Sequence, residues 1–92
     1  MTLPRTPSFR LDGKRALVAG GSRGIGLGCA VALAEAGAHV IVAARNAVQV
    51  QAAVNEMAQA GFSAEALVLD VTDVAAVRDA FDAIGPVDVL VN

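Results

Sequence analysis

The stretch Val18-Ala19-Gly20-Gly21-Ser22-Arg23-Gly24-Ile25-Gly26 decides how this chain is read. It follows the apolar run Arg15 to Ala19 and precedes a longer apolar segment, Ile25 to Ala36, that Gly37 brings to a halt. A short apolar run followed by glycines and then by a helix-length segment is the sequence of a strand, a tight turn and a helix. Gly20 permits a turn that a side chain would obstruct, Gly24 lets the backbone come close to a bound group, and Gly26 lets the helix pack near the strand. The helix start then offers unpaired N–H groups and partial positive charge to an anion. Read without a ligand, the same segment is a plain strand-to-helix turn.

Working outward, the pattern repeats. His39 to Ala44 reads as a second strand, and Asn46 caps a helix with Val50, Val54, Met57 and Ala58 on one face, ended by Gly61. Ala64 to Leu69 supplies a third strand. Thr72 or Asp73 caps a third helix with Val74, Val77, Phe81 and Ile84 inward and Arg78, Asp79 and Asp82 outward. Gly85 and Pro86 break it, and Val87 to Val91 is a fourth strand. The first helix is apolar on nearly every side, which implies cover on both faces; Cys29 falls on its apolar face with Ile25, Ala32, Leu33 and Ala36 and is explained by packing. Strands alternating with helices over short connections require parallel pairing by right-handed crossovers. The expected fold class is therefore α/β, a doubly wound parallel sheet with strand order 3-2-1-4 and three helices. Ligands in such sheets bind beyond the carboxyl ends of the strands.

The bulk numbers agree. The 92 residues are 55% hydrophobic and only 3% aromatic, with mean hydropathy +0.59, so the apolar content is chiefly the Ala, Val, Leu and Ile of buried parallel strands. A chain of this length buries only about 60 to 65% of its unfolded surface, enough for one modest core. No apolar run approaches the roughly 20 residues needed to span a bilayer. The first ten residues, with Pro4 and Pro7, form a leader expected to be flexible, and they do not read as a secretory signal. A cytoplasmic location without membrane association is the expectation. A single cysteine, Cys29, excludes an internal disulfide, and no metal site is expected. Residues 1 to 45 carry six basic and two acidic groups, and residues 46 to 92 one basic and seven acidic. Most of the basic groups lie in the leader and at the start of the first strand, which argues against nucleic acid as a partner.

The spacing Gly20-x-x-x-Gly24-x-Gly26, with the lead-in Leu11-Asp12-Gly13-Lys14-Arg15-Ala16-Leu17-Val18, resembles the short-chain dehydrogenase/reductase family, whose Thr-Gly-x-x-x-Gly-Ile-Gly segment holds a dinucleotide in a Rossmann-type sheet. Ala19 stands where that family usually has Thr. Two further stretches fit in order. Leu69-Asp70-Val71-Thr72 is similar to the segment after the third strand, and Val87-Asp88-Val89-Leu90-Val91-Asn92 to the strand that leads into the family's Asn-Asn-Ala-Gly. The resemblance covers residues 11–92, expected to be an incomplete dinucleotide-binding half-domain, and implies cofactor contacts from Gly20, Ser22, Arg23, Gly24, Ile25, Gly26, Arg45, Asn46, Asp70, Val71 and Asn92. Asp70 would accept from the adenine amino group and Val71 would touch the ring; without a ligand, Asp70 would be a cap for the following helix, a task that falls more naturally to Asp73.

The end of the second strand bears on the choice of cofactor. An acidic residue there would pair with the ribose hydroxyls of NAD; here Ala44 is followed by Arg45, whose planar guanidinium suits the 2'-phosphate of NADP. Arg23 can approach from the other side, so NADP is expected over NAD. His39, at the opposite end of its strand, is read as structural or solvent-facing.

Hydride reduction of a carbonyl also needs a proton donor. The family uses a Ser and a Tyr-x-x-x-Lys segment, yet these 92 residues contain no tyrosine, and Lys14 enters the first strand from the far end. No catalytic residue is assigned in this chain. The expectation is that it is the cofactor-binding part of an oxidoreductase that moves hydride between NADP(H) and a carbonyl or alcohol substrate, cut off before the catalytic residues and not itself able to turn over. The parent is expected to be a homo-oligomer. A non-catalytic dinucleotide-binding or redox-sensing module is the alternative, and a methyltransferase or sugar-nucleotide epimerase suits Arg23, Arg45 and the glycine spacing less well.

Overall fold

Short runs of Val, Ile, Leu and Ala that cannot face water on either side pair into one sheet. The structure is a computed structural model that describes residues 2–92; Met1, the first residue of the expected leader, lies outside the described residues. The strands are β1 (Arg15–Ala19), β2 (His39–Ala44), β3 (Ala64–Val68) and β4 (Val89–Val91), and the helices are α1 (Gly24–Glu35), α2 (Ala47–Gln59) and α3 (Val74–Ile84). All pairings are parallel and the sheet order is β3-β2-β1-β4. The doubly wound arrangement expected from the sequence is present. Arg15 stands opposite His39, and Ala16 opposite Val89 on the other side, which brings the carboxyl ends of all four strands to one edge.

Alternation along the strands divides the core into two layers. Ala16, Val18, Val40 and Val42 face α1 and α2 and meet Ala30, Ala34, Val50, Val54 and Met57. Leu17, Ile41 and Ala43 face the opposite side, against Leu67, Ile84 and Val87. The first layer holds most of the buried side chains, whereas α3 contributes none that is fully buried.

Several sequence expectations need correction. In α2, Ala58 is exposed and Ala53 is buried instead, because the covered stripe runs Val50, Ala53, Val54 and Met57 at helical spacing. In α3, Val77 and Ile84 are half-buried, but Val74 is 71% and Phe81 37% exposed, since α3 crosses only the thinner layer. On α1, Cys29 and Leu33 pack against the core while Ile25 and Ala32 are exposed, so the sheet covers one face of this helix and not both. β3 ends at Val68, although the Leu69 N–H still bonds the Ala44 carbonyl at 2.9 Å and Leu69 is buried. β4 begins at Val89, two residues later than expected: Asp88 joins the chain to Arg15 through backbone and side chain before regular pairing starts.

Residues 2–10 form no helix or strand. Arg10 nonetheless anchors to the body, its guanidinium donating to the Glu35 carbonyl at 3.0 Å and pairing with Asp12 at 2.7 Å, while the Leu11 N–H reaches the Ala36 carbonyl. That pair raises the Arg10 pKa and lowers that of Asp12. At the amino-terminal edge of the sheet, His39 bonds Ser63 and Glu65, and Arg15 donates to the Ile84 and Pro86 carbonyls. His39 is thus held in a structural cluster at the edge opposite the strand carboxyl ends.

Candidate dinucleotide site

β1 leaves the sheet at Ala19, and the loop that follows is stitched to β2: the Gly20 and Gly21 N–H groups both donate to the Ala43 carbonyl, at 2.7 and 3.4 Å. Gly20 and Gly24 have φ of 73° and 60°, left-handed backbone that disfavours any side chain. Gly26 answers a different demand. A Cβ there would fall on the Gly20 carbonyl, so the first turn of α1 lies directly against the loop.

Arg23 occupies the N-cap of α1 in extended conformation and caps nothing with its side chain. The earliest bond into the helix is from the Leu27 N–H to the Arg23 carbonyl at 3.2 Å, so the N–H groups of Gly24, Ile25 and Gly26 have no partner within the helix. The other two helices are capped: Asn46 Oδ1 accepts from the Gln49 N–H, and Asp73 Oδ1 from the Ala76 N–H, each at 3.0 Å.

An open cleft of about 740 Å³ lies at this edge. Gly20, Ser22 and Arg23 form one wall, and Arg45 and Asn46, at the end of β2, the other. Val71, beyond β3, and Asn92, beyond β4, complete it. Two arginines face the cleft and no Asp or Glu side chain lines it. Among the described residues neither Arg23 nor Arg45 is in a salt bridge.

Gly24, Ile25, Gly26 and Asp70 are not among the lining residues. Gly24 and Gly26 shape the loop from behind, and the Ile25 side chain is 90% exposed. Asp70 turns toward its own loop, where Oδ1 accepts from the Thr72 hydroxyl at 2.7 Å and the Thr72 N–H at 2.9 Å. Those bonds, and less strongly the charge of Arg45, hold its carboxyl below the usual range. Helix capping falls to Asp73 and not to Asp70.

Ala19, Ala43, Ala44, Gln49 and Leu69, to which the sequence assigned no cofactor contact, also line the cleft. The first three and Leu69 are strand-end residues whose contribution is a wall and not a motif. Gln49 had a signal in its place three residues after a cap. No group of three or more His, Cys, Asp or Glu side chains able to hold a metal occurs among the described residues, and no helix among them is long and apolar enough to cross a membrane.

Residues 14–92 match the short chain dehydrogenase family. Gluconate 5-dehydrogenase of Gluconobacter oxydans is 47% identical over 88 residues, covering 91% of this chain and 34% of that protein. The crystal structure of a gluconate 5-dehydrogenase from Burkholderia cenocepacia in complex with NADP and tartrate superposes with a TM-score of 0.81 at 44% identity, covering 90% of this chain and 34% of that one. That of 2-keto-3-deoxy-D-gluconate dehydrogenase from Streptococcus agalactiae gives 0.85 at 36% identity, covering 92% and 34%. The chain thus spans about a third of the length of the relatives it matches. With residues 14–92 matched by the family and the fold superposing on solved members of it, this chain belongs to the short-chain dehydrogenase family.

Proposed function

We propose that this chain binds NADP(H) for an oxidoreductase that moves hydride between the nicotinamide and a carbonyl or alcohol carbon of a small polyhydroxylated substrate. The observation that carries the cofactor reading is the composition of the cleft: two arginines that form no salt bridge among the described residues, and no Asp or Glu side chain at the end of β2. A cleft of that charge favours the doubly charged 2'-phosphate, where a carboxylate would favour the ribose hydroxyls of NAD. The free N–H groups at the start of α1 suit the pyrophosphate, and the open space at Gly20 and Gly24 leaves room for it. The Burkholderia relative, bound to NADP, supports the same choice.

The nicotinamide, when bound, supplies or accepts the hydride. The residues of this chain hold and orient the dinucleotide: the loop from Gly20 to Gly26 at the pyrophosphate, Arg23 and Arg45 at the 2'-phosphate, Val71 at the adenine on a turn that Asp70 holds from behind, and Asn92 near the ring-proximal end. We assign no proton transfer to any of the 92 residues, which include no tyrosine; that step belongs to a Ser and Tyr-x-x-x-Lys set elsewhere in a longer parent, working as a homo-oligomer in the cytoplasm. The gluconate and 2-keto-3-deoxy-D-gluconate relatives favour a sugar acid as substrate.

Equilibrium binding of NADPH and NADH, followed by fluorescence, tests the cofactor assignment. A charge-assisted contact to the 2'-phosphate predicts NADPH tighter by about tenfold or more. Equal affinity, or tighter binding of NADH, overturns it.

A further inference from the structure

Asn46 and Gln49 occupy the N-cap and N3 positions of α2. At that spacing a cap side chain and an N3 amide or carboxyl ordinarily exchange hydrogen bonds with each other's backbone. Here only half of the exchange is made. Asn46 Oδ1 accepts from the Gln49 N–H, but the Gln49 carboxamide has no hydrogen-bond partner among the described residues, and Gln49 lines the cleft beside Arg23, Arg45 and Asn46. Gln51, two residues on, shows the contrast, since its carboxamide is spent on Asn55 at 2.9 Å.

The local chemistry decides what a free carboxamide can serve there. Its Nε2 carries two donors beside an acceptor Oε1, and Asn46, whose Oδ1 already accepts from the Gln49 N–H, adds its own NH₂. With two guanidiniums beside them, this side of the cleft presents donors and positive charge to whatever enters. A compact anion with several acceptor oxygens meets both the donors and the positive charge of that set, whereas a ribose hydroxyl pair meets the donors and leaves the charge uncompensated.

We propose that Gln49 is a specificity-determining residue of the cofactor site, its carboxamide N–H groups donating to the 2'-phosphate of NADP(H) together with Arg45. This rests on the NADP reading above. Because Gln49 is exposed and in the first turn of α2, its replacement leaves the core untouched. A glutamate at N3 can complete the exchange with the Asn46 N–H, so Gln49→Glu is not expected to impair folding.

The test measures dissociation constants of NADPH, NADH, 2',5'-ADP and 5'-AMP for the unmodified protein, Gln49→Ala and Gln49→Glu. The expected result is that Gln49→Ala weakens NADPH and 2',5'-ADP by about fivefold to tenfold, while NADH and 5'-AMP change by less than about twofold. Gln49→Glu should weaken the two phosphorylated ligands further, and added salt should shrink that excess by screening. If the unmodified protein prefers NADPH and both variants retain the full preference, or lose all four ligands alike, the role given to Gln49 is wrong while the cofactor reading stands. If the unmodified protein does not distinguish NADPH from NADH, the cofactor reading itself is wrong and Gln49 has no 2'-phosphate to select.

Discussion

Gly26 and Asp70 show how single residues shape the cleft without lining it. A methyl group at Gly26 would meet the Gly20 carbonyl, a backbone atom that cannot rotate away. Gly26→Ala must therefore push α1 off the loop, at a cost of about 1 to 3 kcal/mol. Denaturant unfolding should show that loss; stability within a few tenths of a kcal/mol of the parent would mean that the loop and helix are less closely apposed than described. Asp70 carries a pH signature. The Thr72 bonds lower its pKa in the folded state, so its stabilising contribution is present above the unfolded pKa and disappears as pH falls through the lower, folded value. The melting temperature of Asp70→Ala should lie below that of the parent near neutrality, and the gap should close in acid. A constant gap at every pH would show that the carboxylate charge is not what holds the turn.

The helices differ in how their starts are satisfied, and this difference separates structural caps from the site. Asn46 caps α2 with a side-chain oxygen, so Asn46→Ala should cost about 1 kcal/mol of stability; no change in the unfolding midpoint would contradict the cap. At this scale the sequence was readable where periodicity and covering agree. β1 and β2, apolar and covered on both faces, have the expected limits, because one unbroken apolar run leaves no freedom in placement. The misreadings lie where burial depends on what is across from an element. Val74 and Phe81 sit on the stripe expected to face inward, yet only Leu17, Ile41 and Ala43 form the core on that side, too few to cover them. Ala53 and Ala58 lie roughly 140° apart around α2, and alanine, small enough for either face, does not itself say which of the two is covered. The glycine loop and Arg45 were legible because each requirement is local: a turn, a close approach, a charge at a strand end. The part of Gln49 was not, since its sequence position fits a capping box equally well and only the structure shows the second bond unmade.

Across the molecule, stability is concentrated in β1, β2 and the α1–α2 layer, where Ala16, Val18, Val40, Ile41 and Val42 are almost fully buried. α3 has no buried residue, and Leu90 in β4 is 61% exposed. Native-state amide exchange should follow this gradient, slowest at Leu17, Val18, Ile41 and Val42 and fastest in α3 and β4; uniform protection would contradict it. The same gradient bears on function, because the cleft is built on the end of the firmest strands, β1 and β2, and so is held in shape before a ligand arrives. The most direct measurement is a titration of the ¹⁵N-labelled protein with NADPH, following backbone amides. The account predicts that Gly20 through Gly26 shift together with Arg45, Asn46, Gln49 and Val71, while His39, Ser63 and Glu65 at the opposite edge stay still. A folded protein whose loop amides do not move, or whose shifts gather at the His39 edge, would contradict the claim that this loop receives the dinucleotide.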